Sequence, residues 1–230
     1  WEGKEKYYKK GKQLEVGADR LGNLVDKHKI FRDILLRPEI LAAAFEVIKT
    51  DIKISGFNFR NPRKGYGKQG LHIDWIPRKK RSEPFSGVVC FTYLNNSNFK
   101  NGAVRIVPGS HKIIGWPDEH INTSANHKKE IRLTARAGTT VVMNLNVWHG
   151  GATNINGKPR KTIFLQIKRR DQPQLINYKK YLSKKTKNNL NELQKYLLAV
   201  RNCDKTQKED SVGPGILYRK KFSKDRTSLK

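Results

Sequence analysis

Cysteine is nearly absent from this sequence, with only Cys90 and Cys203 among 230 residues. Two thiols cannot build a multi-bridge framework, and neither stands in a Cys-x-x-Cys spacing, so a disulfide-dense secreted scaffold and a zinc-ribbon or thioredoxin-like centre are excluded. A reducing, intracellular and cytoplasmic setting is the expectation. Methionine is scarcer still: Met143 is the only one, and the chain as given opens on Trp1, which leaves a targeting segment ahead of it open. Long apolar runs are also missing. The two longest, about 87–94 and 139–148, fall short of the roughly 18–20 residues of a membrane-spanning helix. Proline and glycine, at 9 and 18 residues, are too few for a collagen-like or low-complexity chain, and 36% apolar residues suffice to bury a core.

Acidic residues are the last scarcity, 20 against 48 Lys and Arg, for a formal net charge of +28. Such a field favours polyanions, anionic membrane surfaces or anionic substrates as partners. The excess is spread along the chain, however: residues 171–230 carry a net +9 and residues 1–170 the remaining +19. A solvated, lysine-rich surface therefore competes with a nucleic-acid footprint, which calls for a localised patch. Two clusters stand out, Arg78-Lys79-Lys80-Arg81 and Lys168-Arg169-Arg170.

Periodicity divides the chain into three parts. Residues 1–53 hold apolar positions at helical spacing (Leu24, His28, Phe31, Leu35, then Leu41, Phe45, Ile48), with Pro38 where a second helix can begin. Over 54–170 the period becomes two. Strands are expected near 56–59, 86–94, 102–107, 130–135, 139–148 and 161–168, which makes this part an all-β sandwich or barrel. From 171 to 230 a basic helical tail is expected, with Leu182, Leu190, Leu193, Tyr196, Leu197 and Val200 on one face and a polar end around Gly213-Pro214-Gly215.

The sharpest local feature is His72-Ile73-Asp74. In a strand, residues i and i+2 project from the same face, so an imidazole and a carboxylate stand side by side and can share a metal. His149, after the run ending in Trp148, is the candidate for a third ligand from a distant strand. Two histidines and one carboxylate form a facial triad, which leaves half of an octahedral ion open. Eleven residues on, Arg160 offers a planar fork suited to a carboxylate. Each feature taken singly has a structural explanation: a chance His-x-Asp, a satisfied core histidine, one more arginine in a basic chain.

Their order and spacing resemble a known family. The run 71–74, the segment Asn101-Gly102-Ala103-Val104-Arg105-Ile106-Val107-Pro108-Gly109-Ser110-His111-Lys112, and Trp148-His149-Gly150-Gly151-Ala152-Thr153-Asn154 leading to Pro159-Arg160 are similar to the phytanoyl-CoA dioxygenase (PhyH) family of Fe(II)/2-oxoglutarate-dependent oxygenases. The resemblance runs from about 54 to 170. It implies a mainly β fold, a double-stranded β-helix (jelly-roll, cupin-like) core with N-terminal helices and a C-terminal helical tail. It implies His72, Asp74 and His149 as catalytic iron ligands and Arg160 as the residue that binds the distal carboxylate of 2-oxoglutarate. Fe(II), 2-oxoglutarate and O2 follow as cofactors, with ascorbate supportive, and hydroxylation or a related oxidation of an unactivated carbon, releasing succinate and CO2, as the reaction. The carboxylate of Asp74 argues for hydroxylation, since halogenating relatives carry a small residue there. Family members often carry a hydroxyl residue at the position of Gly151; its absence here directs attention to Thr153, Thr92 or Asn58 as further cofactor-binding residues. His111 is expected to stabilise its loop.

For the substrate, the cluster beginning at Arg78 directly follows the first ligand segment, so an anionic small molecule and a merely solvated lip are both open. Trp75, Arg78 and Arg105 are candidate substrate residues. Oxidation of nucleic acid or protein docked on the basic tail, a metal-free β-barrel binding module and a zinc hydrolase are the competing readings. The hydrolase gives no reason for Arg160 and offers no general base beside the metal.

Overall fold

In the computed structural model the described residues are 17–201, together with the backbone of two short strands, β1 (Tyr8–Lys9) and β2 (Lys12–Gln13), which pair antiparallel. The expectations for Cys203 and the 213–215 segment lie outside the described residues. Strands β3 (Ala18–Leu21), β4 (Ile52–Pro62), β5 (Gly87–Tyr93), β6 (Val104–Ile106), β7 (Ile131–Leu133), β8 (Thr140–Asn144), β9 (His149–Gly150) and β10 (Thr162–Arg169) form two sheets. One has the order β3-β4-β10-β5-β8 and the other β7-β6-β9. This is the mainly antiparallel β architecture expected of residues 54–170.

The chain falls into two compact units, one of residues 1–22 and 58–164, the other of 23–57 and 165–230. In the first unit, Phe91 on β5 meets His149 on β9 with ring centroids 5.8 Å apart and Phe164 on β10 edge-on at 5.1 Å, so the inner faces of the two sheets look at each other. Alternation along β5 then turns Val89, Phe91 and Tyr93 inward.

The second unit contains α1 (Lys29–Ile34) and α2 (Pro38–Ile48), the two short helices expected, with Pro38 in the first turn of α2. Leu24, Leu35, Ala44 and Ile48 are buried as core, while Phe45 is half exposed and His28 turns out to cap α1, its Nδ1 accepting from the Ile30 amide at 3.2 Å. Two of the positions read as an apolar face are thus a cap and a surface residue. The tail forms three short helices, α3 (Tyr178–Tyr181), α4 (Lys184–Asn188) and α5 (Glu192–Leu197), because Asn177, Ser183 and Asn191 each start a new helix by accepting from a backbone amide three residues on. Leu182, Leu190 and Leu197 are buried, but Leu193 faces outward.

Candidate metal centre

The first unit brings His72, Asp74 and His149 together. Residues 72 and 149 form an antiparallel bridge in which each amide donates to the other's carbonyl, at 2.9 and 3.0 Å. The Asp74 amide donates to the Leu145 carbonyl at 3.0 Å, and Ile106 of β6 pairs with His149 from its other side. His149 is therefore held on both sides, by residue 72 and by β6. Along 71–75 burial alternates: Leu71, Ile73 and Trp75 are buried, and His72 and Asp74 face the other way. Leu71 and Ile73 pack with Val107 and Trp148, anchoring the segment by its apolar side.

The side chains suit a cation. His72 Nε2 lies 3.8 Å from Asp74 Oδ1, and His149 Nε2 lies 3.6 Å from Asp74 Oδ2. Both separations exceed a hydrogen bond, yet one donor atom from each residue falls within 4.8 Å of the others. Each imidazole has its Nδ1 2.9 Å from a backbone carbonyl two residues back, Gly70 for His72 and Val147 for His149. Nδ1 then carries the proton and Nε2 presents its lone pair towards Asp74, the tautomer a metal requires. Among the described residues this is the one group of three metal-ligating side chains.

Arg160 enters β10 with its side chain fully buried, and its amide donates to Asn61 Oδ1 at 3.0 Å. Its Nη1 reaches Thr162 Oγ1 at 3.3 Å, while Nε and Nη2 have no hydrogen-bond partner. Burial brings the guanidinium down to about 10, with the neighbouring charge of Arg60 acting in the same direction and Tyr93 opposing. At neutral pH it is still a cation, in a place where an unpartnered donor is costly. The donor set and the orphaned fork fit an Fe(II) ion and the carboxylate of a dicarboxylic acid, respectively.

A family model covers the stretch of chain that holds His72, Asp74, His149 and Arg160. That of phytanoyl-CoA dioxygenase (PhyH) matches residues 5–162. The chain belongs to the PhyH family. Ectoine dioxygenase from Nocardia farcinica is 25% identical over 181 residues, covering 66% of this chain and 60% of that protein. Dioxygenase olcK from Penicillium canescens is 29% identical over 160 residues, covering 65% and 51%. The chain thus spans between half and three fifths of those two relatives. Among solved structures, HygX from Streptomyces hygroscopicus with nickel, 2-oxoglutarate and hygromycin B matches with a TM-score of 0.58 at 16% identity, covering 68% of this chain and 71% of that one. The epimerase SnoN with Fe3+, α-ketoglutarate and nogalamycin RO matches with a TM-score of 0.56 at 13% identity, covering 70% and 67%. These likenesses show the fold, the cupin-like jelly roll of this PhyH member.

The remaining candidates separate. Thr92 follows Phe91, so it faces away from His149, and its hydroxyl is 2.9 Å from that of Thr140 on β8. Arg105 pairs across from Gly150 and points to the side opposite Ile106 and His149. There it is buried, with Nη1 3.0 Å from Glu130 Oε2 and Nη2 donating to the Gln69 carbonyl at 2.6 Å. Thr153 joins Arg105, Lys68, Arg132 and Phe99 in a separate cleft of about 340 Å³. Trp75 is buried on the side away from His72 and Asp74. Arg78 donates to the carbonyls of Arg81, Glu83 and His111 at 2.8–3.2 Å and lies 4.3 Å over the Phe85 ring, so it ties loops together instead of facing solvent. His111 is a loop residue as expected, its carbonyl held by Arg78 and its ring 5.6 Å from Phe85. Asn58 alone of the three proposed substitutes shares a strand face with Arg60.

Sequence reasoning missed Tyr93 and Arg60. Tyr93 is fully buried beside Arg160, its hydroxyl without a hydrogen-bond partner. Arg60 is buried, donates from Nη2 to the Gly67 carbonyl at 3.3 Å, and is pulled down to about 10 by burial. The inward phase of β5 was the available signal for Tyr93.

Proposed function

We propose that this PhyH-family chain is an Fe(II)- and 2-oxoglutarate-dependent dioxygenase that hydroxylates an unactivated carbon of a small molecule. Substrate C–H, 2-oxoglutarate and O2 become substrate C–OH, succinate and CO2. The observation that carries the reading is the His72–Asp74–His149 group, with both Nδ1 atoms committed to backbone carbonyls and both Nε2 atoms turned to one carboxylate. When bound there, iron supplies the redox chemistry that joins O2 cleavage to oxidation of the substrate.

The residues of the chain do the positioning. His72, Asp74 and His149 would hold the ion from one side, leaving its other side to ligands, and the alternating burial of 71–75 keeps their donor atoms convergent. Arg160 would take the far carboxylate of 2-oxoglutarate. The Phe91 and Phe164 rings, packed edge-on between His149 and the Tyr93–Arg160 end of β5 and β10, supply an apolar wall that excludes water.

For the substrate, an anionic small molecule remains the proposal. Arg78 is committed to its loop, but Lys79, Lys80 and Arg81 after it are exposed in the segment that follows Asp74. The ligands of HygX and SnoN, hygromycin B and nogalamycin RO, support small molecules as the substrate size.

The test is succinate formation from 2-oxoglutarate with Fe(II), ascorbate and O2, compared with Asp74→Ala, alongside calorimetric titration of the metal. The wild type is expected to bind one divalent ion and form succinate, slowly without substrate. Asp74→Ala is expected to lose at least 100-fold in turnover and most of its metal affinity. A wild type that binds neither metal nor 2-oxoglutarate would return the barrel to the binding-module reading.

A further inference from the structure

Two polar groups with no partner sit side by side inside the first unit. Tyr93 and Arg160 both have no exposed surface, and the Tyr93 hydroxyl and Arg160 Nε and Nη2 make no hydrogen bond. Native interiors rarely leave a phenol and a guanidinium unsatisfied, because each unpaired donor costs free energy on burial. The Ser97 hydroxyl near Tyr93 is already committed as a donor to the Leu133 carbonyl at 3.1 Å. Thr162 occupies only Nη1 of Arg160.

The strand register explains the meeting. The Leu94 amide donates to the Lys161 carbonyl at 2.9 Å and Phe91 faces Phe164, which places Tyr93 opposite Thr162 and diagonal to Arg160 on one inward face. Phe91, two residues before Tyr93, touches the ring of His149. Two residues of strand span about 7 Å, which is close to the length of an extended five-carbon dicarboxylate. A co-substrate with its keto end beside His149 would bring its far carboxylate to Tyr93 and Arg160 together.

We infer that Tyr93 is a co-substrate positioning residue whose hydroxyl donates to the distal carboxylate of 2-oxoglutarate alongside Arg160. This rests on the dioxygenase reading. Two donors of different chemistry divide the carboxylate oxygens: Arg160 Nε and Nη2 supply charge and a fork, and the phenol supplies one directed bond that fixes the rotation of the carboxylate. Burial raises the phenol above its usual range even with Arg160 and the Ser97 hydroxyl opposing, so it keeps its proton and acts as a donor at neutral pH. It also supplies a hydroxyl contact that the chain lacks at Gly151.

The experiment is calorimetric titration of Mn(II)-loaded protein with 2-oxoglutarate and with pyruvate, which has no distal carboxylate, for wild type, Tyr93→Phe and Arg160→Met. A parallel titration follows the tyrosine ultraviolet difference spectrum. Tyr93→Phe is expected to weaken 2-oxoglutarate about tenfold, the worth of one hydrogen bond to a charged group, and to leave pyruvate unchanged. The wild type is expected to give a tyrosine difference signal with 2-oxoglutarate that Tyr93→Phe lacks. Tyr93→Phe binding within twofold of wild type while Arg160→Met loses affinity overturns the inference and leaves the dioxygenase reading standing. Unchanged binding in Arg160→Met sinks the co-substrate assignment itself. Should Tyr93→Phe melt early, the wild type decides alone: absence of a tyrosine signal on 2-oxoglutarate binding overturns the role of Tyr93.

Discussion

Gly151 illustrates how one missing side chain is dictated by its neighbours. A Cβ there would stand 2.3 Å from the Gly67 carbonyl oxygen and 3.1 Å from both Arg60 Nη1 and Gln69 Oε1. The backbone of 67–69 comes this close because Gln69 and Gly151 exchange bonds: the Gln69 amide donates to the Gly151 carbonyl at 3.0 Å, and the Gly151 amide to Gln69 Oε1 at 3.1 Å. The hydroxyl residue common in the PhyH family has no room here. Gly151→Ser is therefore expected to lower the melting temperature, by an overpacking cost of about 1–3 kcal/mol, and to give no gain in 2-oxoglutarate affinity. Differential scanning calorimetry with a binding titration checks both, and a more stable variant would contradict the close approach. The candidate group of His72, Asp74, His149 and Arg160 was legible because its residue types and order resemble the pattern of the PhyH family. The reason for Gly151 was not, since it lies in a carbonyl more than 80 positions away.

At the scale of elements, the segments that carry His72, Asp74 and His149 depend on a loop that contains none of them. Gly109, at φ +81°, turns the chain into the short helical turn 110–112. Ser110 is buried, its Oγ donating to the Val107 carbonyl at 2.7 Å and accepting from the Trp148 amide at 2.8 Å. One hydroxyl thus fixes the residue before His149. Ser110→Ala leaves that amide buried and unpaired, at a cost of about 1–3 kcal/mol. The expected result is a lower unfolding midpoint in urea and weaker metal binding, and a variant with unchanged metal affinity would detach the loop from the site. The strand expected over 139–148 is in fact β8 and a turn, with β9 beginning only at His149. Apolar composition ran on through the turn, and periodicity alone cannot see that Asn144 Oδ1 accepts from the Asn146 amide at 2.9 Å to break the strand. β3 went unnoticed, because four residues with one buried position carry too little pattern.

For the whole molecule, residues 172–200 are part of a core. In the second unit, Gln174 Nε2 donates to the Ile54 and Leu198 carbonyls at 2.7 and 3.0 Å, the Leu175 amide to Ser55 Oγ at 2.9 Å, and the Ile176 amide to the Ser55 carbonyl at 2.9 Å. Tyr178, Leu182, Leu190, Leu197 and Leu198 are buried there. Truncation at Asp171 would strip these partners from β4, so the shortened chain is expected to be insoluble or molten, with a large loss of near-ultraviolet circular dichroism. A shortened chain that melts like the full one would instead make the tail a dispensable lid. What the sequence by itself determined is the candidate set: period-two patterning sets His72 and Asp74 on one face, and motif order adds His149 and Arg160. Only the tertiary structure decided which candidates share that site. Strand phase turned Thr92 outward against Thr140, and Arg105 with Thr153 into a separate cleft. The pairing of β5 with β10 brought Tyr93 beside Arg160. The physical reason is that i, i+2 geometry is local, whereas inward phase and cross-strand register are settled by packing between segments far apart in the chain.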